Sequence, residues 1–397
     1  MEKRMIEKLL GAAQGEIATV SPDMVLVTNG FSHGVTEHVS RVSEPEKVLV
    51  MYDHNVPSGS PEDARIFGEI LTFSKEYGTR FLQAKGTGLQ YLLKEEVKTG
   101  QIVVTGSRHS SVLGAVGALG IGVSNTELAR VLETGKYHVE VPETLGVQVK
   151  GSLGTDCGIM DAALCFLKER KGIQGKAIEF IGGNLTSHEK AVLCHMACGT
   201  GAYTAFWTEE GQAGCCLDLD QTVPMLRMPC SDKNSQIKAG FQPASILAGC
   251  KIHGGQIGGC NGGTIEDLRK AAAMTEGKKL KLGFRLTVCP AASADYIQAM
   301  EEGIITRFID FGAQISAAGD HSVVPQGAGA MGPGETLLTT GLYTFAGSMG
   351  CEDARVMTAS VETIMAAASD TEKASGKAAK STSGMESQEG KDNGNSI

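Results

Sequence analysis

Short apolar runs alternate with stretches of helical periodicity over most of the chain, and this alternation predicts an α/β protein. Residues 47–51, Lys-Val-Leu-Val-Met, read as a strand. Tyr52-Asp53-His54-Asn55 and a loop rich in Pro, Gly and Ser follow it, and a helical pattern then covers roughly 61–77. Residues 101–105, Gln-Ile-Val-Val-Thr, predict a second strand, followed by a loop carrying His109 and a small-residue helix from about Val112. Residues 177–181 and 284–289 predict further strands. Continuous apolar strands separated by helices imply parallel sheets buried on both faces. In such sheets ligands bind beyond the carboxyl ends of the strands, where His54 and His109 both fall.

At 397 residues the chain is long enough for two or three domains. The pattern divides it into blocks 1–145, 146–214 and 215–369, with a Cys- and Pro-containing connection over 214–240. Residues 370–397 are rich in Ser, Lys, Gly and Glu with almost no large apolar side chains. Such a segment buries too little surface to offset its ordering entropy, so a disordered tail is expected. Elsewhere, 42% hydrophobic and 20% charged residues supply a large core. A net charge of -9 leaves no basic face to neutralise phosphates, which argues against nucleic-acid binding. No apolar run reaches the length of a membrane span, and Met1-Glu2-Lys3-Arg4-Met5 does not lead into the apolar core of a secretory signal. A cytoplasmic protein is expected. In that setting the 11 cysteines read as thiols, most of them buried small hydrophobes, rather than as a disulfide framework. The 52 glycines with 5% aromatics suggest many tight loops.

Several familiar motifs are missing. No Gly-Lys is followed by Ser or Thr in a phosphate-binding frame, and His188-Glu189 lacks the second histidine of a zinc protease. The cluster Gly117-Ala-Leu-Gly120-Ile-Gly122 suits close packing of a helix better than dinucleotide binding. Asp53-His54 is more informative: a carboxylate beside an imidazole at a strand end can position and tune a general acid. The same residues also suit a hydrogen-bonded turn. His109, in Gly106-Ser107-Arg108-His109-Ser110-Ser111, carries the same two readings. Cys260, in Gly258-Gly259-Cys260-Asn261-Gly262-Gly263, sits in a glycine-rich loop before a helix start, which suits a metal ligand, a reactive thiolate or a small residue at a crowded turn. Asp320-His321 precedes a glycine-rich stretch over 326–335 and reads as a site edge or a solvent loop.

In this order the segments resemble the aconitase/3-isopropylmalate dehydratase large-subunit superfamily, over most of the chain to about Ala368. Asp53-His54-Asn55 resembles its Asp-His-Asn segment, and residues 106–127 resemble its Gly-Asp-Ser-His-Thr motif with the glycine/alanine-rich helix after it. Residues 179–182 through 193–197 resemble its second-domain strand and helix, and Gly259-Cys260-Asn261 through 265–272 resemble its Cys-Thr-Asn segment and helix. The resemblance implies three α/β/α domains and a hydro-lyase acting on a small hydroxy acid. It implies a [4Fe-4S] cluster on three cysteines, with one iron open to substrate as a Lewis acid. It also implies a small, swivelling partner subunit that completes the pocket. By position, Asp53, His54 and His109 would form the acid network, Asn55, Ser110 and Asn261 would contact substrate, and Cys260 would be the first cluster ligand. The chain departs from the pattern elsewhere. The other two ligand positions are Asp320 and Val323, and a segment that carries two carboxylate-binding arginines in the family reads Leu342-Tyr-Thr-Phe-Ala-Gly-Ser348. A single divalent metal on Cys260, Asp320 and His321, or no metal at all in a non-catalytic paralogue, are the alternatives.

Overall fold

The computed structural model describes residues 3–30, 32–169, 172–234 and 236–371. The apolar runs become the centres of sheets. Met24–Thr28 (β1), Val48–Tyr52 (β2), Arg80–Gln83 (β3), Ile102–Thr105 (β4) and Leu119–Gly122 (β5) form a parallel sheet in the order β3-β2-β1-β4-β5. Every residue of β2 and β4 is buried, which is why these strands read as unbroken hydrophobic runs. A second parallel sheet, in the order β8-β7-β6-β9, contains Thr144–Lys150 (β6), Ala177–Ile181 (β7), Thr204–Thr208 (β8) and Cys215–Asp218 (β9).

The third sheet has seven strands: Met225–Arg227 (β10), Phe241–Pro243 (β11), Gly254–Ile257 (β12), Arg285–Val288 (β13), Gln314–Ile315 (β14), Thr336–Thr339 (β15) and Arg355–Thr358 (β16). Its order is β11-β10-β16-β15-β12-β13-β14, parallel except where β10 pairs with its two neighbours. Two strands of the expected connection over 214–240 thus belong to sheets. Cys215–Asp218 closes the second, and Met225–Arg227 joins the third. Of the tail expected over 370–397, Asp370 and Thr371 end a strand that pairs with Lys278–Leu280, and the remainder lies outside the described residues.

The helices start and stop where their sequences say. Pro61–Tyr77 (α1) begins with the Ser60 hydroxyl accepting from the Asp63 N–H and Pro61 in the first turn, and ends at Gly78 with φ 69°. Ser187–Met196 (α2) and Ile265–Ala273 (α3) each open on a capping box, Thr186 with Glu189 and Thr264 with Asp267. The small-residue stretch after β4 is a 3₁₀ helix, Arg108–Val116, that starts earlier than the expected Val112. The glycine cluster over 117–122 is not helical: Gly117 caps that 3₁₀ helix and the rest forms β5. Close packing is nonetheless the reason for the glycines, because a Cβ on Gly120 would lie 2.0 Å from the Ser110 carbonyl oxygen of the overlying 3₁₀ helix.

Backbone contacts tie the first and third sheets together at the site. The Asp320 N–H donates to the Asp53 carbonyl (2.8 Å), and the Asn55 N–H donates to the Asp320 carbonyl (3.2 Å). A second bridge runs from the Thr87 N–H to the Ala291 carbonyl (2.8 Å). At that approach a Cβ on Gly86, at φ 97°, would meet the Ala291 oxygen at 2.3 Å. Among the described residues no helix is long and apolar enough to cross a membrane.

Candidate functional site

The chain leaves β2 directly into Asp53 and His54, and Asn29, just after β1, holds that exit. The Asn29 Oδ1 accepts from the backbone N–H of Asp53 (2.9 Å) and of His54 (3.0 Å), while its amide donates to the His54 carbonyl (2.8 Å). Asp53 accepts from the Gly88 N–H (2.8 Å) on one carboxylate oxygen and from His54 Nδ1 (2.5 Å) on the other. The opposite ring nitrogen, Nε2, lies 3.3 Å from Asp320 Oδ2. Asp320 Oδ1 accepts from the Ser322 N–H (2.8 Å). The His54 ring is therefore clamped between two buried carboxylates, and it lies against Gly30, where a Cβ would sit 2.2 Å from the ring.

These neighbours fix its charge. Burial disfavours the imidazolium, but the charges and hydrogen bonds of Asp53 and Asp320 outweigh it and raise the His54 pKa to about 10. Burial would raise Asp320, and the His54 cation instead holds its carboxyl well below the usual carboxylate range. At neutral pH His54 is therefore an imidazolium and Asp320 a carboxylate.

Asp53, His54, Asp320, His109 and Cys260 line one small cavity with room for about one water. His109 enters from the 3₁₀ helix, whose first N–H groups are steadied by Ser107 Oγ accepting from the His109 N–H (3.2 Å). Burial lowers the His109 pKa to about 4, so this imidazole is neutral. Its Nδ1 is 3.4 Å from Cys198 Sγ. Cys260 stands in the loop between β12 and α3, with its N–H donating to Ser322 Oγ (2.6 Å) and its Sγ accepting from the Leu342 N–H (3.3 Å). Burial, with Asp320 nearby, pushes the Cys260 thiol up to about 11.

Other residues expected at the site face elsewhere. The Asn55 amide donates to Asp63 Oδ1 of α1 (3.2 Å). Ser110 is wholly buried against β5, and its hydroxyl has no hydrogen-bond partner. The Asn261 amide is turned to Met196 Sδ (3.4 Å). His321 Nε2 lies 3.2 Å from the Ala317 carbonyl, and Asp320 is engaged by His54, so neither extends toward Cys260 as part of a common donor set.

The sequence reading passed over two residues. His195, on α2, stacks on His109 with ring centroids 4.7 Å apart, and donor atoms of His109, His195 and Cys260 lie within 4.8 Å of one another. Only the tight spacing of Cys194-His195 and Cys198 hinted at it. Arg227, on β10, is fully buried; it donates to the carbonyls of Leu342 (2.8 Å) and Gln236 (2.7 Å) and to Thr344 Oγ1 (3.0 Å). Its lone position in a short strand gave no signal.

The donor chemistry around Cys260 can be tested against a [4Fe-4S] cluster, which asks for thiolates. Here one ligand position is a carboxylate committed to His54, another is Val323, and the donors within 4.8 Å of the Cys260 sulfur in a common set are two imidazoles, with the Cys198 thiol lying behind His109. The residues present do not fit a three-thiolate cluster.

The profile of the aconitase family (aconitate hydratase) matches residues 31–214 and 211–370. A probable 3-isopropylmalate dehydratase large subunit of Methanothermobacter thermautotrophicus is 29% identical over 408 residues, covering 93% of this chain and 97% of that protein. A homoaconitase large subunit of Thermus thermophilus is 27% identical over 409 residues, covering 93% and 96%. The solved structure of Thermococcus kodakaraensis aconitase X in its holo-form superimposes with a TM-score of 0.54 at 13% identity, covering 92% of this chain and 96% of that one, a likeness of fold. With a match that spans nearly the whole described chain, and with the first and third sheets bringing Asp53, His54, His109 and Cys260 to one cavity, the chain belongs to the aconitase family.

Proposed function

We propose that this chain is the large subunit of a cytoplasmic hydro-lyase that removes water from, or adds it to, a small hydroxy acid, and that a small swivelling subunit closes its pocket. The observation that carries the proposal is the Asp53–His54–Asp320 clamp opening onto the cavity shared with His109 and Cys260. Both relatives quoted above are named as large subunits of a dehydratase or an aconitase-type enzyme, which supports the reading and the need for a partner.

The chemistry follows from charge. Dehydration must expel a hydroxyl group whose departure as hydroxide is slow at neutral pH. His54, with a pKa raised to about 10, remains an imidazolium there and can stabilise the oxygen as negative charge builds. Proton transfer from it to the leaving oxygen is favourable, because water has a pKa of about 15.7. Asp53 orients the ring through Nδ1 and Asp320 faces it at Nε2, and both carboxylates favour the doubly protonated ring. The base that takes the proton from the adjacent carbon is assigned to the partner subunit. For the substrate carboxylate we assign Arg108, which is exposed at the start of the 3₁₀ helix and acts electrostatically on Tyr343 and Cys198. A guanidinium offers the bidentate geometry a carboxylate needs.

The test mixes the chain with candidate small subunits and follows formation of the unsaturated acid from a panel of 2- and 3-hydroxy di- and tricarboxylic acids. Turnover by the pair, abolished in His54→Gln, is expected. A stable heteromer that turns over none of the panel would overturn the hydro-lyase reading. It would favour a non-catalytic paralogue, to which the absence of the family's two arginines over 342–348 also points.

A further inference from the structure

We propose that His109, His195 and Cys260 hold a single divalent ion of the zinc class, in place of the cluster implied by the family. The three come from different parts of the chain: the 3₁₀ helix after β4, helix α2 and the loop before α3. Their donor atoms converge to within 4.8 Å of one another in a buried setting. Tetrahedral zinc with Zn–N and Zn–S bonds of about 2.0 and 2.3 Å places its donors roughly 3.3–3.8 Å apart. Drawing the set inward by about 1 Å is within reach of side-chain rotation.

The independent observation is His195. It is 1% exposed, and neither ring nitrogen has a hydrogen-bond partner. Leaving a buried polar atom unsatisfied costs about 1–3 kcal/mol, so an imidazole with two such atoms in a packed interior calls for an occupant that the protein atoms do not supply. A metal ion is the occupant that an imidazole stacked on another imidazole beside a thiol would take. Both rings are buried, and a neutral imidazole is the form that ligates. The Cys260 thiol would surrender its proton to solvent on binding, as coordinating thiols do. The Leu342 N–H that donates to its sulfur (3.3 Å) would then stabilise the thiolate.

Two imidazoles and one thiolate leave a fourth position open, the pattern of catalytic rather than structural zinc. The cavity on that side is lined by His54 and Asp320. Use of the ion as a Lewis acid on a substrate hydroxyl rests on the hydro-lyase reading; its binding does not.

The experiment uses the full chain. Protein stripped with chelator is incubated with Zn²⁺ alone, desalted and assayed for bound zinc, and a second sample is titrated with Co²⁺ and followed by absorption. About one zinc per chain is expected, with at least tenfold weaker binding in His195→Leu and in Cys260→Ser. Cys250→Ser, which alters an exposed thiol, should bind as the parent does. The Co²⁺ form of the parent should show a thiolate charge-transfer band and the intense visible bands of a tetrahedral site, and this readout does not depend on any variant folding. Absence of stoichiometric zinc, unchanged binding in a folded His195→Leu, or an octahedral Co²⁺ spectrum without the thiolate band would each overturn the site. Stoichiometric zinc in a protein that dehydrates nothing would leave the site standing and remove the hydro-lyase reading, whereas a chain that dehydrates substrate with its partner but takes up no zinc would do the reverse.

Discussion

Replacing Asp320 with alanine tests whether the His54 clamp is held by charge. Asp320 Oδ2 lies 3.3 Å from His54 Nε2. At an effective dielectric of about 20 a pair at that distance interacts by about 5 kcal/mol. Part of this is returned when the buried carboxylate is removed, and Asp53 stays in place on Nδ1, so the net loss should fall near the lower end of the range for breaking a buried pair, about 3 kcal/mol. The pH dependence separates charge from packing. The folded pKa of His54 is raised from 6.5 to about 10, so its contribution is fully present below 6.5 and is lost as the pH rises through about 10. Within that window the folded state holds a proton the unfolded state has released, and stability falls by up to about 1.4 kcal/mol per pH unit. Without Asp320 the folded pKa drops and the window narrows from its upper end. Denaturant melts of both proteins at pH 6, 7, 8 and 9 measure the difference, with other titrating groups cancelling between them. The parent should be more stable by about 3 kcal/mol at pH 7, and the gap should change between pH 7 and 9. A gap that is absent, or that stays constant across the series, would refute a charged His54.

Three further outcomes follow from the same geometry. In Gly30→Ala the new methyl would lie 2.2 Å from the His54 ring, so the ring must leave its clamp; activity with a partner subunit should fall by at least tenfold, while stability falls by about 1–3 kcal/mol in a thermal melt. Arg227→Met strips its donors from the carbonyls of Leu342 and Gln236, and a loss of about 3 kcal/mol or more should appear in urea denaturation. Arg108→Ala removes an exposed cation, so steady-state kinetics should show a raised KM with kcat little changed and no loss of stability.

How much of this could be read from the chain depended on how local each signal was. The strands Val48–Tyr52 and Ile102–Thr105 bury every residue, and an unbroken apolar run says as much. The helix Pro61–Tyr77 carried its own start and stop in Ser60, Pro61 and Gly78. Asp53 and His54 were legible because a carboxylate and an imidazole at a strand end sit where parallel sheets place ligands. Close packing of a helix was legible in the glycine cluster, and the contact it serves is the Ser110 carbonyl of the 3₁₀ helix lying over Gly120; that the cluster itself forms a strand was not, because glycine weakens strand propensity. Strands such as Met225–Arg227 are too short and too near the sheet edge to announce themselves. Asn55, Ser110 and Asn261 matched motif positions, yet side-chain direction belongs to packing, and Asp63, β5 and Met196 took them elsewhere.

His195 was out of reach for a different reason: nothing within α2 says which residue will meet a histidine brought from β4 and a cysteine brought from β12. Its presence also gives the departures from the family pattern a common physical sense. A carboxylate in place of a ligand thiol pairs with His54, and together with burial it pushes the remaining Cys260 thiol up to about 11. A thiol so disfavoured as a free thiolate needs a strong local cation to ionise, and the neutral imidazoles of His109 and His195 are the donors that would bring one. The carboxylate paired with His54, the thiol it disfavours and the two neutral imidazoles are therefore coupled electrostatically within one pocket.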